Sequence, residues 1–378
     1  MKNIALTAVL NTLRGFHTEL SLAKVFERAP RCADAMLSTV LAVYVAHWIG
    51  LGEVWWAAIC AFSLTGLELK AAASQGMQQI AGSVCGAFIG WVLSQHVAGE
   101  VGLFVVSITC LSVVGLYLAT SRAASFMWIL CTALAIFMIA AVHAHTETDP
   151  LAVVKALSVN AVAGTTAYWM ISALSRIVLR LSGRRTGIAA PAPSASPVTS
   201  ASPSGPTLGR LRHTIVGAAT LSVLAYFAYQ YPLDGFAQAM TTALVTLLVP
   251  LDVRGAWSLD AVVLRMCHRL LGCLFGSVIV LAVMPFTAGH MVYCMIALCA
   301  SIWVACHLRF ADLNISYVGT QLGAVVILAF VHDTVWLSDD VSVAYDRLIG
   351  VASGIVALAV VLGLVSSIFS SGPFTRRV

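Results

Sequence analysis

The chain has 378 residues, of which 60% are hydrophobic and only 10% are charged. Soluble domains carry about 25% charged residues, so this composition excludes an ordinary soluble protein and predicts several membrane crossings. The net charge of +5 reflects basic residues at the ends of membrane segments and gives no support for nucleic-acid binding.

Residues 1–30 are predicted to stay in the cytosol. Lys2 precedes a short apolar stretch that is interrupted at Asn11 and Arg14, which is not the pattern of a cleavable secretory signal. Apolar residues recur near helical spacing, with basic residues between them. This pattern favours a helix on the inner membrane surface, and an unstructured tail is the alternative.

Twelve apolar segments are long enough for helices at about 20 residues per span. They lie at 32–50, 54–69, 75–97, 101–119, 123–143, 151–181, 211–231, 235–251, 260–285, 288–307, 313–331 and 342–369. The Pro/Ala/Ser-rich residues 182–209 predict a disordered cytoplasmic linker. We therefore expect an all-α polytopic membrane protein with two similar six-helix halves, 31–181 and 210–370, and a cytoplasmic tail at 371–378.

The two predicted halves resemble each other in sequence. A shift of 190 residues places Gly82 and Gly86 on Gly272 and Gly276, and it places a glycine of the sixth helix on Gly354. An even number of helices in each copy gives both copies the same orientation. This repeat predicts an axis along the membrane normal, with a path at the interface of the halves.

The positive-inside rule predicts the orientation. A cytosolic N-terminus places nineteen of the twenty-one basic residues at cytoplasmic ends or loops, and the exceptions are Lys155 and Arg347. We therefore expect a multi-pass protein of the inner (cytoplasmic) membrane with both termini in the cytosol.

The pattern Arg-x-x-Gly-x-x-x-Gly occurs twice in the second half. Its residues are Arg269, Gly272 and Gly276 in one helix, and Arg347, Gly350 and Gly354 in another. An intramembrane charge costs at least about 2.5 to 3.5 kcal/mol, and such charges usually face a bundle interior or a water-filled path. Glycines four apart let a neighbouring helix approach closely. Both arginines are therefore candidates for ligand binding beside a tightly packed seam.

The simplest ligand for these cations is a small organic anion, because a guanidinium presents a planar fork of donors that suits a carboxylate. Further candidates for substrate binding are Lys155, Gln79, Asn160, Trp55 and Trp56. The two tryptophans would provide an aromatic wall, and an interfacial tryptophan belt is the alternative.

Alternatives remain for the charged residues. Arg347 could pair with its neighbour Asp346 or reach the outer interface. Asp34 and His268 are candidates for proton coupling, with a polar structural role as the alternative for His268.

No metal site, cofactor or enzymatic activity is predicted. The ten cysteines form no C-x-x-C motif, so they are interpreted as packing thiols, and the histidines and acids of 143–149 as solvated loop residues. The chain has no nucleotide-binding loop, G-x-S-x-G or H-E-x-x-H motif. Any uphill transport would need an ion gradient.

Two stretches resemble the fusaric acid resistance family of inner-membrane proteins, which includes aromatic carboxylic acid exporters. They are Trp55-Trp56-Ala57-Ala58 leading through Glu68 and Lys70 to Gln79-Ile80-Ala81-Gly82-x-x-x-Gly86, and a counterpart ending in Arg269-Leu270-Leu271-Gly272. The resemblance implies paired six-helix bundles and proton-driven export of aromatic or related organic acids. Since the family pattern favours an arginine where this chain has Gln79, it also implies that one copy is the stronger anion binder.

The sequence thus supports a secondary exporter or uniporter of small organic anions that lies in the lipid bilayer. A passive anion channel and a non-transporting membrane subunit of envelope assembly machinery are the alternatives. The oligomeric state is left open, with a homo-oligomer among the options.

Overall fold

The computed structural model describes residues 2–19, 21–97, 99–120, 124–144, 149–181, 208–231, 234–248, 258–287, 290–311, 315–331 and 342–370. Over these ranges the chain forms thirteen helices and no strand. The helices are α1 (Lys2–Glu19), α2 (Leu22–Ile49), α3 (Val54–Ser63), α4 (Leu69–Val97), α5 (Val101–Ala119), α6 (Ser125–Ala144), α7 (Pro150–Leu181), α8 (Leu208–Gln230), α9 (Asp234–Thr246), α10 (Leu259–Thr287), α11 (Met291–Arg309), α12 (Ser316–Phe330) and α13 (Ser342–Ser370). The predicted tail and almost all of the predicted linker lie outside the described residues.

Nine helices of the described ranges are long and apolar enough to cross a membrane. These are α2, α4, α5, α6, α7, α8, α10, α11 and α13. Each of the twelve predicted segments overlaps one of α2–α13, but α3, α9 and α12 have only 10, 13 and 15 residues. They are too short for a full straight crossing, which needs about 20 residues. The chain is a multi-span membrane protein.

Several helix boundaries differ from the prediction. α2 begins at Leu22, ten residues before the predicted first span. α3 ends at Ser63, whereas the sequence pattern predicts a helix to residue 69. A turn follows α3, and it includes Gly66 with φ of +81°. Residues other than glycine rarely adopt this left-handed backbone conformation. The apolar run around Gly66 therefore cannot continue as one helix.

The helix packing recurs six helices further along the chain. α4 packs on α6 as α10 packs on α12, α3 packs on α7 as α9 packs on α13, and α2 packs on α7 as α8 packs on α13. Helices α2–α7 are called here the first set, and helices α8–α13 the second set. The contacts between the two sets come in matched pairs. α5 packs on α8 and α11 on α2, while α6 packs on α9 and α12 on α3. A two-fold axis between similar sets would produce this reciprocity.

Glycines lie where helices of one set approach most closely. A Cβ atom added at Gly82 on α4 would lie 2.6 Å from the carbonyl oxygen of Met127 on α6. At Gly272 on α10 it would lie 2.6 Å from the carbonyl oxygen of Val318 on α12. Since carbon and oxygen atoms cannot approach so closely, a side chain at either position would force the helices apart.

Gly350 and Gly354 make a similar seam on α13. An added Cβ would collide with the carbonyl oxygens of Gly235 and Ala239 on α9, respectively. Gly86 and Gly276 likewise face α6 and α12 at contact distance. Every glycine that the sequence suggested for helix packing therefore lies against another helix.

Arginines join the two sets through backbone carbonyl groups. On α2, Arg28 Nη1 donates to the carbonyl oxygen of His307 at 3.3 Å. On α8, Arg210 Nη2 donates to the carbonyl oxygen of Tyr117 at 3.0 Å. The two acceptors are 190 residues apart, which is the shift that relates the glycines. These bonds are thus reciprocal links from the first helix of each set, α2 or α8, to the fourth helix of the other set, α11 or α5.

Arg309, at the end of α11, makes a further link between the sets. Its guanidinium donates to the carbonyl oxygens of Phe62 and Ser63, each at 2.6 Å, and to Thr65 Oγ1 at 3.2 Å. The last carbonyl groups of a helix have no partner within the helix and carry partial negative charge. Arg309 therefore caps the C-terminal end of α3.

The N-terminal helix α1 is docked at the start of α2 and the end of α11. The carboxylate of Glu19 pairs with Lys24 at 2.8 Å and with Arg28 at 2.6 Å, and its carbonyl oxygen lies 2.8 Å from His307 Nε2. Burial acts to raise the pKa of Glu19, but the bonds to Lys24 and Arg28 outweigh it and hold the pKa below its ordinary value. A charged Glu19 therefore stabilises this junction.

Candidate anion site in the second set

Arg269 lies inside the second set, on the third turn of α10. Its side chain is 2% exposed. Nε donates to Thr242 Oγ1 on α9 at 3.1 Å, and Nη1 donates to Tyr317 Oη on α12 at 3.1 Å. Gly272 lies nearly one turn further on, where α12 approaches α10 most closely. The motif thus brings a neighbouring helix against the cation.

Arg347 reaches the same group of helices from the start of α13. It is 7% exposed, and its Nη1 donates to Gln238 Oε1 on α9 at 3.2 Å. Its Nε has no hydrogen-bond partner in the described part of the chain. Arg347 lies beside the Cys273 thiol and close enough to Arg269 for the two charges to repel each other. The second set therefore holds two positive charges near each other.

Neither guanidinium has a carboxylate within 4.0 Å among the residues that the structure describes. The ion pairs found in those ranges all involve Glu19 on α1. Arg347 does not pair with its neighbour Asp346, which was one alternative for its role. A buried charge without a counter-ion is costly, usually several kcal/mol. The arrangement is therefore suited to a negatively charged ligand that supplies the missing charge.

Five polar residues on the helices around these arginines were missed by the sequence interpretation. They are Arg265, Gln238, Thr242, Tyr317 and Gln321. The Arg265 guanidinium carbon lies 4.4 Å from the centre of the Tyr317 ring, and the buried Gln321 Oε1 has no partner in the described ranges. The spacing of Arg265 and Arg269, four residues apart on one helical face, was a signal that could have identified the first of them.

The corresponding place in the first set is neutral. The shift of 190 residues puts Gln79 opposite Arg269 and Leu157 opposite Arg347. Gln79 Nε2 donates to the Cys60 carbonyl oxygen and to Thr165 Oγ1, each at 3.1 Å, and Oε1 accepts from Ser63 Oγ at 2.5 Å. The fully buried Leu157 belongs to an apolar cluster with Trp56. Hydrogen bonds within the protein thus satisfy Gln79 on both sides of its amide.

The other predicted substrate-binding residues lie apart from the two arginines. Asn160 Nδ2 donates to the carbonyl oxygens of Gly52 and Glu53, at 2.7 and 2.9 Å, and so holds the turn before α3. Trp55 Nε1 donates to Glu53 Oε2 at 2.6 Å, and Trp56 Nε1 donates to Ser83 Oγ at 3.3 Å.

Lys155 is exposed on the surface of α7. In the described ranges, no hydrogen bond of Asn160, Trp55 or Trp56 reaches the helices that carry Arg269 and Arg347. Of the predicted substrate-binding residues, the structure therefore brings together only the two arginines. The others lie in the first set of helices.

The two candidates for proton coupling lie on different sets. His268 is 5% exposed on α10, beside Arg269 in sequence. Asp34 on α2 accepts a hydrogen bond from Ser175 Oγ on α7 and interacts with the charge of Arg176. His268 adjoins Arg269 in the sequence, whereas Asp34 lies on the first helix of the other set.

No group of three or more His, Cys, Asp or Glu side chains in the described ranges could hold a metal ion. Residues 145–148 of the His- and acid-containing stretch lie outside those ranges. The site chemistry that the structure presents is thus a set of fixed hydrogen-bond donors and positive charges.

Comparison with known protein families finds a match that covers most of the first set of helices. No curated protein and no solved structure matches the chain. The matched segment 41–190 runs from the second half of α2 through α7, so it includes Gln79, Gly82 and Gly86 but not Arg269 or Arg347. Residues 41–190 match the family described as fusaric acid resistance protein-like, which confirms the resemblance seen in the sequence for this part of the chain.

Proposed function

We propose that the protein is a secondary transporter that exports small organic anions, in particular aromatic carboxylates, across the inner membrane. The family match and the multi-span helical architecture support a membrane transporter. The observation that carries the choice of an anion is the pair of buried guanidinium groups without a carboxylate partner in the described ranges, Arg269 and Arg347.

The donors around this pair suit a carboxylate. Each guanidinium has five N–H donors, and the bonds described above use only two on Arg269 and one on Arg347. A carboxylate can accept two parallel N–H bonds from one guanidinium and offset its charge. The ring of Tyr317, which already stacks with Arg265, offers an aromatic surface next to these donors. A benzoate-like anion would match both features.

The transport path is proposed to run at the interface of two similar six-helix halves. The recurrent packing, the reciprocal links of Arg28 and Arg210 and the matched glycines support this arrangement. Because Gln79 is internally satisfied while Arg269 keeps free donors, we propose one strong anion site for each chain, in the second set. Alternating exposure of that site would follow from movement of one half against the other.

Export against a concentration difference requires an energy source. We propose coupling to protons, with His268 as the first candidate because it precedes Arg269, and Asp34 as the second. A passive anion channel would keep the arginine site but would need no titrating group. Flux that responds to an imposed proton gradient supports coupling, whereas flux that follows only the anion's own electrochemical gradient supports a channel.

Transport in proteoliposomes tests the proposal. We expect flux of a benzoate-like acid to fall at least about tenfold in Arg269→Gln and in Arg347→Gln, because a hydrogen bond to a charged group contributes about 1.5 to 3 kcal/mol. Arg347→Lys, which retains the charge without the planar fork, should give an intermediate flux. Arg14→Gln removes an exposed charge on α1 and is the control.

Three results would contradict the proposal. Unchanged flux in both glutamine variants would reject the site. Equal losses in Arg14→Gln would show a general charge effect, and no flux of any acid by the intact protein would favour the non-transporting membrane subunit.

A further inference from the structure

A second polar cavity lies in the first set of helices, apart from the arginine pair. Its volume is about 450 Å³, and it lies between the start of α2, the start of α4 and the end of α7. None of its lining residues comes from α9, α10, α12 or α13, which hold Arg269, Arg347 and their partners. The charged residues that line it are Arg31, Lys70, Arg176, Arg180, Asp34 and Glu68. Four basic and two acidic groups give this cavity an excess of positive charge.

Asp34, the less exposed of the two acidic residues that line the cavity, is already engaged. Asp34 accepts the hydrogen bond from Ser175 and interacts with the charge of Arg176. Arg31, Lys70 and Arg180 supply further positive charge around the cavity. A group with several negatively charged oxygens, such as a phosphate, can accept hydrogen bonds from several of these basic side chains together.

The surface next to the cavity is apolar. Leu174, Ile177 and Val178 on α7 are each more than half exposed, and Leu181 is 82% exposed. α7 is one of the helices long and apolar enough to cross the membrane, so this exposed apolar face is suited to contact with lipid. They alternate along the helix with Arg176 and Arg180, which line the cavity. An occupant with an anionic head and an apolar chain would therefore contact both surfaces at once.

We propose that this cavity binds the phosphate group of an anionic membrane lipid, whose acyl chains lie along the exposed apolar face of α7. The start of α2, which carries Arg28 and Arg31, is also where the second set is linked through the His307 carbonyl group. A lipid bound here would hold α2, α4 and α7 together beside that junction. Basic pockets between membrane helices bind lipid headgroups in this way.

Native mass spectrometry of the detergent-purified full chain tests the proposal, with phosphatidylglycerol and the zwitterionic phosphatidylcholine as probes. We expect phosphatidylglycerol to remain bound in preference to phosphatidylcholine. Arg176→Gln should weaken its retention about fivefold or more, since each basic residue contributes about 1 kcal/mol to contact with anionic lipid. Ser172→Leu, which fills the cavity without changing its charge, should also reduce retention.

Two control variants test whether the change in lipid retention is specific to the charges of this cavity. Arg14→Gln should change retention no more than about twofold, since an isolated exposed charge contributes little. Arg269→Gln should leave retention intact, so the lipid site can stand or fail independently of the transport site. Thermal unfolding of each variant without added lipid establishes that it folds.

Three outcomes would overturn the proposal. Equal retention of the two lipids would remove the requirement for an anionic lipid. Displacement of the lipid by inorganic phosphate alone, with stabilisation of the protein, would assign the cavity to a soluble phosphate. Displacement by a benzoate-like acid would make the cavity part of the transport path.

Discussion

Arg347 Nη1 donates to Gln238 Oε1 at 3.2 Å, which makes an amide on α9 the partner of a buried cation on α13. A neutral amide offers a hydrogen bond without cancelling the charge. Arg347 is thereby held in position and keeps an unsatisfied positive charge for an incoming anion.

Gln238→Leu should therefore destabilise the protein. A buried charged donor that loses its acceptor costs about 1 to 3 kcal/mol, so we expect unfolding in detergent at a lower denaturant concentration. A benzoate-like acid should restore more stability in this variant than in the intact protein, because its carboxylate replaces the lost acceptor. Gln321→Leu is the control, since the described ranges give Gln321 Oε1 no partner, and a smaller loss is expected there. Equal losses would show that the Gln238 bond has no special role.

Gly354→Ala should loosen α13 from α9. The new methyl group would collide with the carbonyl oxygen of Ala239, and such overpacking costs about 1 to 3 kcal/mol. Gly363→Ala is a matched control on the same helix, because a Cβ there meets nothing within 4 Å. The control should be neutral or stabilising by up to about 1 kcal/mol, since alanine is the better helix former. Thermal unfolding compares the stability of the two variants. Equal changes would contradict the close packing of α13 on α9 at Gly354.

Arg309→Gln should weaken the link between the sets of helices. The change removes the charged donors to the last carbonyl groups of α3, and we expect a loss of about 1.5 to 3 kcal/mol in unfolding free energy. Arg309→Lys keeps the charge but can serve fewer carbonyl groups in fixed directions, so its loss should be smaller. Limited proteolysis near α3 would report local loosening. If both variants unfold like the intact protein, the cap contributes nothing measurable.

Acid should destabilise the docking of α1 through Glu19. The pKa of Glu19 in the folded protein lies below its ordinary value of 4.5, so its stabilising effect is complete above that pH. The effect is lost as the pH falls below 4.5 and through the folded-state pKa, because the protonated carboxyl no longer pairs with Lys24 and Arg28. Glu19→Gln should flatten this part of the stability profile, whereas the exposed Glu27→Gln should leave it unchanged. Thermal unfolding measured across the acid range tests the difference.

The sequence alone determined the class of protein and most of the helices. Long apolar runs cannot remain in water, so their number and length indicate helical membrane segments regardless of detail. The repeated glycines indicated close helix approach, because only a missing side chain permits it. Arg269 and Arg347 could be selected from the sequence because a charge in an apolar run is costly wherever it lies.

Only the tertiary structure decided which residues surround those charges. Arg347 meets Gln238 on α9, and Arg269 meets Thr242 on α9 and Tyr317 on α12. Asn160 has the residue type of a ligand-binding amide, yet the fold uses it to hold a turn through backbone carbonyl groups. Hydrogen bonds between helices depend on helix rotation and crossing, which side-chain packing across the whole bundle sets and which local sequence patterns do not contain.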